Sequence, residues 1–291
     1  MFRQIYEQLQ LDADFPFVIF ETSEKQQFLH YHDFLELNIV EYGEGSYMID
    51  GRNYPILPGD IFVINNKEPH MAVHQSMHDG SLKLTVLAFD ISLLWRNKEI
   101  SRFLTPFFSR NEQFSHRIGS QSRYYPQMAE LFRTIAQEYQ EQEKGWQSGV
   151  ESLLMYLLTL LYRCYDEKQE LEEERKDFQK LYTRICAVFE YIDRHFCESI
   201  TLDQLAELVS LSPHYLCKCF KKVTGRTIFE YIEQMRIQYS CYLLRTTEDS
   251  ILDIAWNSGF RTVSYYNRVF KKSEGISPRD YRRQKISRES L

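Results

Sequence analysis

A chain of 291 residues with 43% hydrophobic and 15% aromatic content carries enough apolar material for two packed cores, which excludes disorder over most of its length. Its formal net charge of −6 would exclude a polyanionic partner if the charge were evenly spread. It is not: from Lys180 onward 18 Lys+Arg stand against 13 Asp+Glu, leaving 17 against 28 over residues 1–179. A basic module follows an acidic one, and only the basic one suits nucleic acid. The opening MFRQIYEQLQLDADF lacks the apolar run of a secretory signal. The most apolar later stretch, Val150 to Tyr165, is broken by Glu151, Ser152, Thr159 and Arg163 and falls short of the roughly 20 residues of a bilayer span. Six cysteines without framework spacing read as reduced thiols. A cytoplasmic protein with no membrane partner is the expectation.

From about residue 15 to 90 short runs alternate apolar and polar positions: FPFVIFET, ELNIVEY, GSYMIDG, DIFVIN and KLTVLAFD. Gly43, Gly45, Asp50-Gly51 and Pro58-Gly59-Asp60 punctuate them, which predicts a small all-β sandwich or barrel. From about residue 122 the period becomes helical. Tyr125, Met128, Leu131, Phe132, Ile135 and Tyr139 form one stripe, and Leu153, Leu154, Leu157, Leu158 and Leu161 a second. These helices either complete the core of one subunit or also meet a second subunit. The charge run Tyr165 to Lys180 predicts a solvated helix or linker and is the place for a domain boundary.

The last third repeats itself. Leu216, Phe220, Lys221, Lys222 and Gly225 recur as Tyr266, Phe270, Lys271, Lys272 and Gly275 at an offset of 50, while Ala206 and Leu211 match Ala255 and Phe260 at 49. Each copy holds signals for two helices and a tight turn. Thr201-Leu202-Asp203-Gln204 is a capping box, and Ser212-Pro213 offers an N-cap with an N1 proline. In the second copy Ser250 opens a helix, Gly259 supplies the turn and Thr262 caps the next helix. At about 100° per residue Leu216, Cys219, Phe220 and Val223 share one arc, and His214, Cys217, Lys218 and Lys221 the opposite one. Tyr266, Val269 and Phe270 against Ser264, Asn267, Arg268 and Lys271 repeat the division. Such outward faces suit base edges and phosphates in a major groove. Lys221 and Lys271, matched in the duplicated unit, are the expected phosphate contacts.

TLDQLAELVSLSPHYLCKCFKKVTG, then IFEYIEQMRIQYSCYLL, then ILDIAWNSGFRTVSYYNRVFKKSEGISPRDYRR cover about 100 of the 291 residues. This half resembles the DNA-binding domain of the AraC/XylS family of transcription regulators. The resemblance implies a seven-helix domain in which Ile228 to Leu244 links two helix-turn-helix units, whose reading helices enter successive major-groove segments about 34 Å apart. By position it places base-edge contacts on His214, Cys217 and Lys218 in the first unit and on Val263, Ser264, Asn267 and Arg268 in the second. Cys217 departs from the long polar residue common at its position, which predicts weaker or more apolar readout by the first unit. Cys217 and Cys219, with His195 and Cys197 nearby, do not suggest zinc, because residues two apart on a helix point about 200° apart.

In the β half the string His30-Tyr31-His32, Glu36, Gly43 is H-x-H-x3-E-x6-G, with His70 further on. It is similar to the first metal motif of cupin barrels, where His70 would complete the second motif, and equally to the sensor domains of AraC-type sugar regulators, where such residues line or border an effector pocket. On a strand His30 and His32 project to one side. Two or three histidines with a carboxylate could hold Fe, Mn or Zn. The fusion to a DNA-binding domain favours the sensor, so His30, His32, Glu36 and His70 are the expected effector pocket, with no catalytic residue, no metal and no cofactor.

The expected fold is α+β. A cupin-like effector-sensing β-barrel over 1–120 carries packed helices, 121–170 forms a helical dimerisation or linker region, and 180–291 forms an all-α double helix-turn-helix domain. The expected function is a ligand-responsive, sequence-specific DNA-binding regulator, not an enzyme, of a carbohydrate or related small-molecule operon. The expected partners are double-stranded promoter or operator DNA, a small-molecule effector such as a sugar, and a second copy of the chain, with RNA polymerase a candidate. The alternative is a cupin metalloenzyme with an appended DNA-binding module.

Overall fold

The computed structural model describes residues 5–7, 11–12, 15–22, 28–74, 82–95, 100–108, 114–166 and 172–286. Ten strands, eleven α-helices and a single 3-10 turn (Ile91–Leu93) follow one another through them, in two compact units: residues 1–183 with 223–225, and residues 184–222 with 226–291.

In the first unit the strands are β1 (Ile5–Tyr6), β2 (Phe17–Thr22), β3 (His30–Tyr31), β4 (Leu35–Tyr42), β5 (Gly45–Ile49), β6 (Arg52–Ile56), β7 (Ile61–Ile64), β8 (His70–His74), β9 (Lys83–Phe89) and β10 (Arg117–Ile118). They form two five-stranded sheets, in the orders β1-β3-β8-β5-β6 and β10-β7-β4-β9-β2. All pairings are antiparallel except that of β1 with β3. Pro55, which has no N–H for a ladder, lies on the edge strand β6.

Between the sheets Tyr47, Ile49, Ile56 and Ala72 meet Val40, Phe62, Ile64, Leu84 and Val86, all buried. The second sheet is apolar on its other face too: Leu35, Leu37, Ile39, Val63, Leu87 and Phe89 are buried. That face receives the short helices α1 (Ile100–Phe103) and α2 (Thr105–Phe108) and the long helices α3 (Tyr125–Glu141) and α4 (Trp146–Asp166). Phe89 meets Phe107 edge-on at 6.1 Å, and Phe17 meets Tyr139 at 5.5 Å. Two-sided burial explains why β7 reads as an unbroken apolar run, and why β4 is buried at six successive positions although Glu36 and Asn38 alternate with its apolar residues. On β4 the inward side of the sandwich carries Glu36, Asn38 and Val40, since alternate residues share a face.

The charge run does not end as a loop. Glu172 opens α5 (Glu172–His195), which continues through Phe178, Tyr182, Ile185, Phe189 and Ile192, and the division between the units falls inside it, at 183/184.

In the second unit α6 (Leu202–Leu208) and α7 (Pro213–Thr224) form one helix pair, α8 (Ile228–Thr246) follows, and α9 (Ile251–Asn257) with α10 (Val263–Glu274) forms the other before α11 (Pro278–Ile286). Thr201 and Gln204 form the capping box, and Ser250 and Thr262 accept from the N–H groups of Asp253 and Tyr265. The two turns match in geometry: Ser210 at φ 52° and Gly259 at φ 83° occupy the same position of the repeat, offset by 49, in the left-handed region. Glycine is required only at the second. A Cβ on Gly259 would stand 2.7 Å from the Cys197 carbonyl oxygen and 2.8 Å from its Cα, both backbone. Gly259→Ala therefore costs about 1–3 kcal/mol of stability. Ser210→Gly, which relieves a left-handed side chain but loosens the unfolded chain, is neutral to stabilising by about 1 kcal/mol. Denaturant unfolding followed by helical circular dichroism measures both; equal effects at the two turns would contradict the assignment.

Candidate functional site

Two groups of residues stand out, one in each unit. In the second unit the second helix of each pair, α7 and α10, divides as its sequence period requires. Leu216, Cys219, Phe220 and Val223 of α7 are buried, while His214, Cys217, Lys218 and Lys221 are exposed. On α10 Tyr266 and Phe270 are buried, while Ser264, Asn267, Arg268 and Lys271 are exposed. Val263 is different. It is half-buried and packs on the cluster of Ile254, Phe260, Tyr266 and Phe270, so only part of it reaches the outward face. The N-cap residues fix where each helix begins and so which side chains lead: Ser212 Oγ accepts from the Tyr215 N–H at 3.3 Å, and Thr262 Oγ1 from the Tyr265 N–H at 3.3 Å.

In the first unit His30, His32, Glu36 and His70 come together across the two sheets. β3 and β8 pair His30 with His70, and Glu36 reaches over from β4. The His30 and His70 rings are 4.1 Å apart, and those of His32 and His70 5.0 Å. His32 Nε2 lies 2.8 Å from Glu36 Oε2, and His70 Nε2 lies 3.6 Å from Glu36 Oε1. His32, Glu36 and His70 are buried, and only His30 is partly exposed, near Glu7 at 3.3 Å. The group is thus a closed polar cluster that opens toward solvent on the side of His30.

Two of its members had no signal in the motif. Asn38 Nδ2 donates to Glu36 Oε1 and to the Tyr47 hydroxyl, each at 2.7 Å. Asn38 follows Glu36 by two on one strand, so alternation alone points to it. Pro58-Gly59-Asp60 proves to be a turn with its own internal partners. Asp60 Oδ2 accepts from the Leu57 N–H at 2.8 Å and from Arg117 Nε at 2.7 Å, and Gly59 sits at φ 85°.

Burial opposes charge throughout the cluster, and the outcome differs by residue. It would raise Glu36, but the charges of His70 and His32 and the hydrogen bonds from His32 and Asn38 outweigh it and bring the carboxyl down to about 2. Burial would lower His32, but the charge and hydrogen bond of Glu36 leave it above its ordinary value. For His70 burial wins over the attraction of Glu36, aided by repulsion from His32 and His30, and depresses the imidazole to about 4. Burial, then the Glu36 charge, keeps the Tyr47 hydroxyl protonated. Near neutral pH the cluster holds an ionised Glu36 and a neutral His70.

The His70 imidazole therefore donates from Nδ1 to the Glu68 carbonyl, 2.8 Å away, and turns the lone pair of Nε2 inward. His30 Nδ1 donates likewise to the Phe28 carbonyl at 2.7 Å. His32 Nδ1 and His70 Nε2 have no hydrogen-bond partner among the described residues. Ring nitrogens of His30, His32 and His70 lie within 4.8 Å of one another, so these residues could hold a divalent transition metal. They could equally satisfy hydroxyl groups. Glu36→Leu removes the acceptor of His32 and one acceptor of Asn38 while leaving both buried, and lowers stability by about 2–4 kcal/mol in a denaturant titration, whereas Glu36→Gln costs less. Equal stability of Glu36→Leu and the parent would mean that the cluster is not paired as described.

Comparisons with known proteins agree with both halves. The sequence model of the family described as an AraC-like ligand binding domain matches residues 17–158, and that of a helix-turn-helix domain matches residues 205–284. The HTH-type transcriptional activator RhaS of Escherichia coli O1:K1 is 27% identical over 258 residues, covering 87% of this chain and 86% of that one. Among solved structures, the C-terminal domain of the response regulator yesN of Fusobacterium nucleatum is 35% identical over 33% of this chain and 93% of its own, with a TM-score of 0.32. ToxT of Vibrio cholerae O395 is 15% identical over 92% of this chain and 98% of its own, with a TM-score of 0.42. Among the described residues no helix is long and apolar enough to cross a membrane. With a ligand-binding domain of the AraC type followed by a helix-turn-helix domain, the chain belongs to the AraC/XylS family of transcription regulators.

Proposed function

We propose that the chain regulates transcription of a carbohydrate or related small-molecule operon. In this reading α7 and α10 read the operator through His214, Cys217 and Lys218 and through Val263, Ser264, Asn267 and Arg268. Lys221 and Lys271 hold phosphates. The observation that supports it is the pair of matched helix-turn-helix units whose polar and cationic faces are exposed while their apolar arcs are buried. Sequence discrimination comes from base edges and affinity from phosphates.

The effector site in this reading is the cluster of His30, His32, Glu36 and His70. The orphaned Nε2 of His70 and the ionised Glu36 offer acceptors to a small polyhydroxylated molecule at fixed positions, and the orphaned Nδ1 of His32 offers a donor when that imidazole is protonated and an acceptor when it is neutral. A ligand there can change DNA affinity only by the difference in its affinity for two conformations. A chain of contacts leads from the cluster to the helical layer. His70 donates to the Glu68 carbonyl, and the Glu68 side chain meets His116 Nε2 at 2.9 Å. The neighbouring Ser115 carbonyl accepts from the Tyr165 hydroxyl of α4 at 2.6 Å, and Phe114 stacks on Tyr165 at 5.1 Å. Movement of His70 thereby reaches the α3–α4 layer. That layer, with Tyr156 exposed on α4, is the face proposed for a second copy of the chain, and RNA polymerase is the further partner proposed for an activator of this type.

The metalloenzyme alternative rests on the three imidazoles, and stoichiometric metal with turnover of a small substrate would favour it. Helix-turn-helix units have no part in such a reaction, and the regulator reading accounts for both units.

Arg268→Ala and Lys218→Ala are expected to cost about 1–3 kcal/mol on the selected operator and much less on random duplex, whereas Lys271→Ala weakens both equally and reduces the salt slope by about 1. Filter binding over a salt series measures this; an unchanged sequence preference in Arg268→Ala would displace the second reading helix from its role. On the sensor side, His32→Ala with His70→Ala should abolish the effector response and leave operator binding in the uninduced mode. His116→Ala should keep effector binding and lose most of the effect on DNA. A full response in the double variant, read by gel shift, would place the effector elsewhere.

A further inference from the structure

Arg268 is a long, flexible side chain on an exposed helix face, and a guanidinium free to sample many rotamers discriminates poorly between bases. The second unit limits that freedom. The Arg268 guanidinium carbon lies 5.1 Å from the centre of the Tyr265 ring, one helical turn earlier on α10. Tyr265 is itself held at three points. Its N–H donates to Thr262 Oγ1 at 3.3 Å, its ring lies 6.2 Å from that of the buried Phe260, and its hydroxyl donates to Glu233 of α8. Among the described residues Arg268 forms no ion pair, so stacking occupies the face of the guanidinium and leaves its N–H edges available. Reading guanine O6 and N7 uses those edges.

We infer that Tyr265 and Glu233 are positioning residues for Arg268, and that the linking helix α8 thereby sets the direction in which the second reading helix presents its guanidinium to DNA. This rests on the assignment of base reading to Arg268. The matched position in the first unit, at an offset of 50, is Lys218, a compact ammonium with rotatable donors. Glu233 suits its task. It is half-buried, and burial, with the charge of Glu230, raises its proton affinity against the pull of Lys272, Arg236 and Arg268 around it.

A merely structural tie between α8 and α10 would weaken binding to every duplex alike. The test uses the full chain. A randomised duplex library is selected with the parent protein, and the selected duplex is then varied one base pair at a time. Arg268→Ala identifies the base pair read by Arg268 as the one whose preference disappears. Tyr265→Leu is expected to lose at least about fivefold of the preference at that same base pair, out of the tenfold or more that a bidentate contact supplies. Preferences elsewhere and binding to random duplex stay within about twofold. Tyr265→Phe, which keeps the ring and loses the bond to Glu233, and Glu233→Gln should fall between parent and Tyr265→Leu. Tyr265→Leu combined with Arg268→Ala should be no worse than Arg268→Ala alone, because the two act as one device. Additive losses, or an intact preference in Tyr265→Phe and in a folded Tyr265→Leu, would overturn the inference while leaving Arg268 as a reader. If Arg268→Ala itself left every preference intact, the assignment of Arg268 and the inference built on it would fall together.

Discussion

A carboxylate between two β-sheets must have its oxygens paired, and Glu36 meets that demand by drawing in residues from both sheets. Its Oε2 is taken by His32 and its Oε1 by Asn38, whose second hydrogen holds Tyr47 on the facing sheet. An ion that costs several kcal/mol to bury unpaired cannot be there for packing alone, since apolar side chains of similar volume are often as stabilising. The same residue that organises this end of the sandwich is the one that confronts His70 with a negative charge across 3.6 Å. In the proposed reading a ligand entering the cluster reorganises these bonds, which connect onward to Glu68, His116 and the segment that Tyr165 holds. In that reading, site and transmission share one set of hydrogen bonds.

The DNA-binding half follows a different logic, in which duplication supplies two copies of one amphipathic plan. Both turns adopt a left-handed residue at the same place, and both second helices bury a Leu/Tyr and a Phe four residues apart. The copies diverge on the exposed face, where the base contacts are proposed. Lys218 stands opposite Arg268, Cys217 opposite Asn267 and His214 opposite Ser264. Divergence on the exposed face with conservation of the buried arc between the two copies is what a shared scaffold carrying two different readings requires.

Much of this was legible from residue order alone. Periods of two and of 3.6 located most of the strands and the two long helices, and capping residues marked where α6, α9 and α10 begin. The histidine motif found four members of the cluster because they are close in sequence or at a recognisable spacing. Other features carried no local signal. The contact of Glu68 with His116 joins residues 48 apart, and the two-residue strands β1, β3 and β10 are defined by their neighbours, not by their own composition. Of the charge run from Tyr165 to Lys180, read as a solvated helix or linker, the part from Glu172 onward lies in α5, where Phe178 and Tyr182 begin a buried stripe that the polarity of the run conceals. Val263 shows the same effect on a small scale, because the first residue of a reading helix can turn inward.

The central claim is that a small polyhydroxylated ligand, held by a histidine and glutamate cluster in one unit, governs how another unit binds DNA. Its most direct test is a gel shift of the full chain on the promoter next to its own coding region, repeated across a panel of sugars. The account predicts that at least one sugar changes the apparent affinity by about 5–150-fold, and that the DNA changes the affinity for that sugar by the same factor. Operator binding that no member of the panel alters, with sugars that bind the protein nonetheless, would contradict it.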